Sequence, residues 1–291
     1  MTGFVSSRKE EIERNHDELK HSLSQKGGLK MATVQVNNIS ISYVEKGTGE
    51  EVIVFIHGFI ASKGHWKEVM ELLPDGYHSY AFDLRGSGEV GEVKEGFTIA
   101  QFARDIHAAA QELGLERYVV AGHSTGGAVA QQMALDFPEC VKALVLIGTV
   151  SCFGCEPPSA LLYPVIKLID ASQEELEATL PAFYPQTPSP ERIKELANDV
   201  RSMTKESFFG TMDTFRFFNQ EARMSEIKVP TIFLTGSLDL FMTQGVIQRA
   251  AAGIAGAKIV YIEGNGHWVM IENGSRTVEL ITQFVDEVNQ K

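Results

Sequence analysis

The sequence predicts an α/β protein built on a largely parallel sheet. Short apolar runs of strand length alternate with longer segments whose apolar residues recur every three to four positions. Helices between successive strands imply right-handed crossovers, which make neighbouring strands parallel and bury both of their faces. A chain of 291 residues with 44% hydrophobic side chains is long enough to cover such a sheet on both sides.

The elements follow in order. Residues 1–30 are polar and helix-permissive, carry only a thin apolar stripe, and end in the breaker "KGG", so they read as an arm set apart from the body. From Met31, "MATVQVNNISISYVEKG" alternates like two strands turning back at Asn37-Asn38, an antiparallel opening pair. "EVIVFIHG" is the next strand, "HWKEVMELL" has helical spacing, and "YHSYAFD" is a strand again. "TIAQFARDIHAAAQELGL" sets Ile99, Phe102, Ile106, Ala110 and Leu113 on one helical face, with Gly114 as the stop. "RYVVAGHS", "KALVLIGT", "TIFLTGS" and "KIVYIEG" supply four more strands. Residues 150–225 break the rhythm. They hold no convincing strand, two helical patterns, a Pro-rich join and the aromatic run "ESFFGTMDTFRFF". The expected division is a core of 31–149 and 226–291, with 150–225 as a helical cap over the sheet's C-terminal edge. That edge is where open α/β sheets bind ligands.

Composition narrows the partners. With 26 basic against 38 acidic side chains the net charge is −12, which disfavours nucleic acid and anionic membrane surfaces and leaves a neutral small molecule open. No apolar run is long enough to span a bilayer. The first thirty residues lack the apolar core of a secretory leader, so the expected location is cytoplasmic. Cys152 and Cys155 form a C-x-x-C in a loop-like stretch, with no second pair to complete a metal site, and read as ordinary reduced thiols. Cys140 precedes an apolar strand and reads as a small packing residue. No metal is expected, and no oligomeric state follows from the sequence.

The chemistry concentrates at Gly122-His123-Ser124-Thr125-Gly126, where a strand-like run meets a helix-like run. A helix N-terminus offers unpaired N–H groups and the positive end of a dipole. A serine on the sharp turn before it holds its hydroxyl out of the sheet, and glycines two residues to either side let strand and helix approach. This is the G-x-S-x-G elbow in its strand–turn–helix context, so Ser124 is the candidate nucleophile. A serine hydroxyl needs a base. His267 in "EGNGHWVMIE" follows the last strand on a glycine-flanked loop, whereas the other histidines sit in the arm, within elements, or at the strand-end "HGF". Asp239 in "IFLTGSLDLFM" follows the penultimate strand and completes the order Ser124, Asp239, His267. Asp83 in "DLRGSG" reads instead as a turn anchor, and Glu263 and Glu272 lie on the histidine's own segment. For a developing oxyanion the candidate donors are the backbone N–H groups of Thr125, directly after the nucleophile, and Phe59, in the loop after "VIVFIHG".

Together "HGF…HW", "FDLRGSG", "GHSTGG", "LTGSLDL" and "GNGHW" make residues 31–291 resemble the α/β-hydrolase superfamily, in its capped single-domain branch. The resemblance implies an eight-stranded mostly parallel sheet, a cap after the sixth strand and no cofactor. It carries over Ser124 as nucleophile, Asp239 as acid, His267 as base, and Phe59 and Thr125 as oxyanion donors. The arm departs from the family pattern, and serine at 124 departs from the dehalogenase and epoxide hydrolase branches, which place aspartate there. The expected activity is hydrolysis of a carboxylic ester or lactone through an acyl-enzyme. Amide, thioester and carbon–carbon hydrolysis and perhydrolysis run on the same residues and stay open. So does a slow-turnover ligand receptor or stress regulator that keeps the triad. Candidate substrate contacts are Ile60, Trp268 and, from the aromatic run, Phe208, Met212 and Phe215, which share one face if that run is helical. The aromatic side chains serve equally well to bury the cap against the body.

Overall fold

The computed structural model describes residues 28–90, 93–154 and 159–290. Nearly all of the expected arm, and Cys155, lie outside them. Leu29, the second described residue, is buried in the core.

The sheet opens with β1 (Lys30–Val36) and β2 (Ile39–Gly47), an antiparallel hairpin. Its turn residues Asn37 and Asn38 have φ of 46° and 62°. A two-residue turn matched to strand twist needs that left-handed pair, and asparagine tolerates it better than most side chains. β3 (Glu51–Ile56) leads through a 3₁₀ turn (Lys63–Trp66) and α1 (Lys67–Leu72) to β4 (Tyr77–Phe82). Next come α2 (Ile99–Glu112), β5 (Tyr118–His123), α3 (Thr125–Asp136) and β6 (Val141–Ile147). Among the described residues, four helices follow without a strand: α4 (Ser159–Lys167), α5 (Gln173–Thr179), α6 (Pro190–Ser202) and α7 (Lys205–Phe217). The chain then closes with β7 (Thr231–Gly236), α8 (Gln244–Ala252), β8 (Lys258–Ile262), α9 (Val269–Glu272) and α10 (Gly274–Asn289).

The eight strands run in the order β1-β2-β4-β3-β5-β6-β7-β8. β2 pairs antiparallel with β1 and β4, and every other neighbour is parallel. Alternation along β3 shows why the sheet is covered on both faces. Ile53 and Phe55 enter one core with Trp66, Met70 and Ile281, while Val54 and Ile56 enter the other with Phe82, Phe102 and Met133. A strand with apolar side chains at both parities can sit only inside a three-layer packing.

Two helical patterns were expected between β6 and β7, and there are four helices because capping residues divide them. Ser172 and Glu175 form a capping box before α5. Ser189 accepts from the Arg192 N–H with Pro190 opening α6, and Thr204 accepts from the Ser207 N–H to start α7. Each cap satisfies a helix-end donor and stops the preceding turn from continuing. The inserted segment is tied to the body by polar contacts. Lys67 Nζ meets Glu195 at 3.2 Å, Arg192 donates to the Gly64 carbonyl at 2.9 Å, and the Gly88 N–H donates to Ser202 Oγ at 3.0 Å.

Asp83, fully buried at the end of β4, joins two of the loops at the sheet's C-terminal edge. Its carboxylate accepts from the Lys63 N–H at 2.8 Å, from Lys63 Nζ at 2.7 Å and from the Glu89 N–H at 2.9 Å. It is the turn anchor that the sequence implied. Among the described residues no helix is long and apolar enough to cross a membrane.

Asp83→Asn leaves the Lys63 ammonium buried beside a neutral amide. Removing one member of a buried pair costs about 3–5 kcal/mol, so urea unfolding should show a large drop in stability. A midpoint within error of the parent's would show that the anchor contributes nothing.

Candidate active site

β5 hands over to α3 in a single residue. Ser124 adopts φ 51° and ψ −115°, a conformation that L side chains rarely enter. The crowding around it explains the glycines. A side chain on Gly122 would run into the Gly126 carbonyl, and one on Gly126 into the Ile56 carbonyl at the end of β3. Thr125 begins α3, so its N–H has no carbonyl one turn earlier to accept it.

The loop after β3 is pinned from below by His57. The Leu84 N–H donates to His57 Nε2 at 2.9 Å, so that nitrogen carries the lone pair. Nδ1 therefore bears the proton and donates to the Gly58 carbonyl at 2.7 Å. Burial is the main reason the ring's pKa falls to about 4. The Gly58 carbonyl and the Phe59 N–H belong to one peptide plane, so this contact also sets the direction of that N–H. Ile60 follows with φ 53°, an outlier for a β-branched residue and a sign that the loop is held by its surroundings.

Asp239 and His267 come together across the ends of β7 and β8. Asp239 Oδ2 lies 2.8 Å from His267 Nδ1. Its Oδ1 accepts from the Phe241 and Met242 N–H groups, both at 2.8 Å, so the carboxylate cannot swing. A carboxylate only accepts, so Nδ1 of His267 bears a proton and the neutral ring presents Nε2 as a base. The His267 loop is braced by Glu272, which takes the Gly266 N–H at 2.9 Å and the Trp268 N–H at 3.2 Å. The Gln186 N–H of the inserted segment adds a longer contact to the same carboxylate at 3.4 Å. His123 lies beside His267, with ring centroids 4.8 Å apart, and its Nε2 meets the His267 carbonyl at 3.1 Å. Burial holds His123 well below the ordinary histidine pKa, so it stays neutral and donates there. Directly after β6, Gly148 faces the pair at φ 45°. A Cβ on it would sit 3.1 Å from His267 Nδ1 and 3.3 Å from Asp239 Oδ2.

Ser124, Thr125 and His267 line one cavity with about 570 Å³ of empty space, together with Phe59, Ile60, Trp268 and the inserted segment's Leu162, Val165 and Phe215. Of the expected substrate contacts, Ile60, Phe215 and Trp268 are on its wall, and Phe208 and Met212 are not. Phe208 is fully buried behind Phe59, with ring centroids 4.7 Å apart, and Met212 packs in the core. The three α7 residues do share a buried face. Seven residues advance a helix by about 10 Å, so only its C-terminal end reaches the cavity. Val150, Leu162, Val165, Phe241 and Met242 also line the space and were not singled out from the sequence. Phe241 and Met242 had a visible signal, since they directly follow Asp239. Leu162 and Val165 depend on how the insertion folds. Gly148 and the bracing by Glu272 likewise needed the structure.

Cys152 is buried, and burial pushes its thiol up to about 11, which makes it unreactive. Among the described residues no cluster of three or more histidine, cysteine or acidic side chains could hold a metal ion.

Residues 51–274 match the family model described as alpha/beta hydrolase fold. A stretch of 119 residues is 39% identical to the dihydrolipoyllysine-residue acetyltransferase component of an acetoin cleaving system from Cupriavidus necator. That match covers 41% of this chain and 32% of the relative, so the chain spans only about a third of that protein. A monoacylglycerol lipase from Xenopus laevis is 23% identical over 290 aligned positions, 90% of this chain and 83% of the relative. Among solved structures, a bacterial membrane phospholipase A superposes with a TM-score of 0.83 at 25% identity, covering 96% of this chain and 93% of that one.

The buried histidines set a pH dependence. Unfolded, His57 titrates near the ordinary value of about 6.5, whereas in the fold it titrates at about 4. Between those values the unfolded chain binds a proton that the folded ring does not, so stability is unaffected above the range and falls as pH drops through it. The loss from His57 is about 3 kcal/mol across the interval. In an NMR titration the His57 and His123 ring signals should stay fixed from pH 8 to pH 5. A midpoint near neutrality for either would contradict their burial as neutral donors.

Proposed function

The chain belongs to the alpha/beta hydrolase fold family, and on that premise we propose that it is a serine hydrolase cleaving carboxylic esters or lactones through an acyl-enzyme. The observation that carries this reading is the placement of Ser124 on its positive-φ turn in the same cavity as His267, whose far nitrogen faces Asp239 at 2.8 Å. Family membership by itself covers many chemistries, so the argument rests on the site.

In this mechanism His267 Nε2 takes the proton of Ser124 as its oxygen attacks the substrate carbonyl. Asp239 fixes the tautomer and stabilises the imidazolium that forms. The Thr125 N–H at the start of α3 and the Phe59 N–H receive the negative charge on the carbonyl oxygen. Because His57 already orients the 58–59 peptide, that donor needs no reorganisation when charge develops. The tetrahedral intermediate collapses, the carbon–oxygen bond to the alcohol breaks, and His267 delivers its proton to the departing oxygen. Water then enters, gives a proton to His267 and attacks the acyl carbon, and Ser124 leaves as the free hydroxyl with the acid released.

The inserted segment acts as the cap of this site, since Leu162, Val165 and Phe215 supply apolar wall. An apolar wall around polar reacting groups suits a substrate whose acyl part is a hydrocarbon chain. The lipase and the phospholipase among the similar proteins carry names that fit an acyl ester.

Ser124→Ala should lower kcat by about 10⁶ with the fold intact, and a fluorophosphonate probe should label Ser124 and no other serine. Near-normal turnover by the purified variant would refute the nucleophile. A burst of product without steady turnover of an aryl acetate by the parent would indicate a ligand receptor instead.

Asp239→Asn can donate its amide proton to His267 Nδ1 and force the proton onto Nε2. The expected loss in kcat is about 10⁴ with KM little changed. Retention of most of the activity in steady-state assays would move the acid's role to another residue.

A further inference from the structure

Among the described residues, His123 lines the Ser124 cavity beside His267, and the proton transfers leave it without a task. It is the last residue of β5, its side chain is almost wholly buried, and it directly precedes the nucleophile. We propose that His123 is a positioning residue. Its ring is the spacer that holds the His267 loop on one edge and the Gly58-Phe59 peptide on the other, so that the base and the oxyanion donor reach Ser124 together. This inference rests on reading Ser124 as a nucleophile served by His267 and the Phe59 N–H.

One edge of the ring sets the base. His123 Nε2 donates to the His267 carbonyl at 3.1 Å. The N–H of that same peptide belongs to Trp268 and donates to Glu272 at 3.2 Å. The peptide is therefore held at both ends, from the end of a strand and from α9. Asp239, at 2.8 Å from Nδ1, orients the His267 ring. The backbone that carries the ring is held by His123 and Glu272.

The other edge sets the oxyanion donor. A carbonyl only accepts, so the proton of the neutral His123 ring is on Nε2 and Nδ1 is bare. Among the described residues this Nδ1 has no hydrogen-bond partner. It abuts Gly58: a Cβ there would lie 2.8 Å from Nδ1 and 3.0 Å from the Ser124 Cβ. Gly58 thus backs onto the ring and the nucleophile at once. His57 fixes the direction of the 58–59 peptide through the Gly58 carbonyl, and His123 limits how closely that peptide approaches the serine. A ring edge without a hydrogen is thinner than one that carries a C–H or N–H, which accounts for an unpaired acceptor in so tight a place. A hydrogen on Nδ1 would push the loop, and with it the Phe59 N–H, away from Ser124. Burial above all, then the neighbouring His267 and His65, hold the His123 pKa well below the ordinary value, so the second proton stays off.

The test compares His123→Phe, His123→Gln and His123→Asn with the parent. It reads kcat and KM on an aryl ester, inhibition by a trifluoromethyl ketone, and the rate of fluorophosphonate labelling at Ser124. His123→Phe keeps a ring, offers nothing to the His267 carbonyl and turns a C–H edge toward Gly58. It should lower kcat and the labelling rate about a hundredfold, the scale of a small misplacement of reacting groups, with KM little changed. The ketone adds to Ser124 and puts its oxygen at the Phe59 and Thr125 donors, so its affinity should fall by a similar factor. In His123→Gln the amide nitrogen comes near the place of Nε2 and can donate to the carbonyl, so about tenfold of the loss should return, the size of one net hydrogen bond. In His123→Asn the amide stops near the place of Nδ1, and little should return. If His123→Phe fails to fold, the difference between the other two variants carries the comparison. Parent-like kcat and labelling in His123→Phe, a loss confined to KM, or equal rates in His123→Gln and His123→Asn would overturn the inference while the ester-cleaving reading stands. A parent that is labelled at Ser124 but turns over no ester would overturn that reading alone, with the spacer still read by the labelling rate. A parent neither labelled nor active would overturn both.

Discussion

The close approach of α3 to the ends of β3 and β5 is the constraint on which the site depends. Gly122 and Gly126 let backbone meet backbone there, because any side chain at either position would occupy the space of a carbonyl. The contact brings the start of a helix within reach of two strand ends. It leaves Ser124 only the cramped turn between them, at φ 51°. Helix N–H groups, the loop after β3 and the serine hydroxyl are thereby delivered to one place, before any side chain has been chosen for its chemistry.

The remaining groups are positioned by one repeated device. A carboxylate, buried for Asp83 and Asp239 and half-buried for Glu272 at the end of α9, collects backbone N–H groups and so fixes a loop that has no regular structure of its own. Asp83 does this for the loops after β3 and β4, Asp239 for its own turn, and Glu272 for the segment carrying His267. Each such contact is charge-assisted and replaces a donor that would otherwise face apolar packing. His57 plays the same part with a neutral ring. Not every buried polar atom is paired: among the described residues the Tyr118 hydroxyl and Trp66 Nε1, for example, have no hydrogen-bond partner.

Much of this was legible in the sequence. Strand and helix spacing carried the sheet, and the Asn37-Asn38 turn carried its antiparallel edge. Ser124, His267 and Asp239 were legible because each sits at a junction whose punctuation is local: glycines, an abrupt change of period, and position after a strand. Asp83 was legible on the same ground. What failed to show was whatever depends on distance in space. Phe208, Met212 and Phe215 have the right spacing for one helical face, yet nothing in the spacing says how far along that face the cavity begins. The caps at Ser172, Ser189 and Thr204 divide the insertion more finely than its apolar pattern does. Gly148 looks like any strand-end glycine until the pair it faces is in view.

That glycine has a consequence for how this protein can change over time. Position 148 follows a different strand from Asp239 and His267, yet the space for a side chain there is taken by their contact. A longer acid at 239, or a bulkier residue at 148, would each have to borrow the same few ångströms. The two sites are therefore not free to drift separately: a descendant that lengthened the acid would have to keep 148 bare, and one that filled 148 would have to make room at the pair.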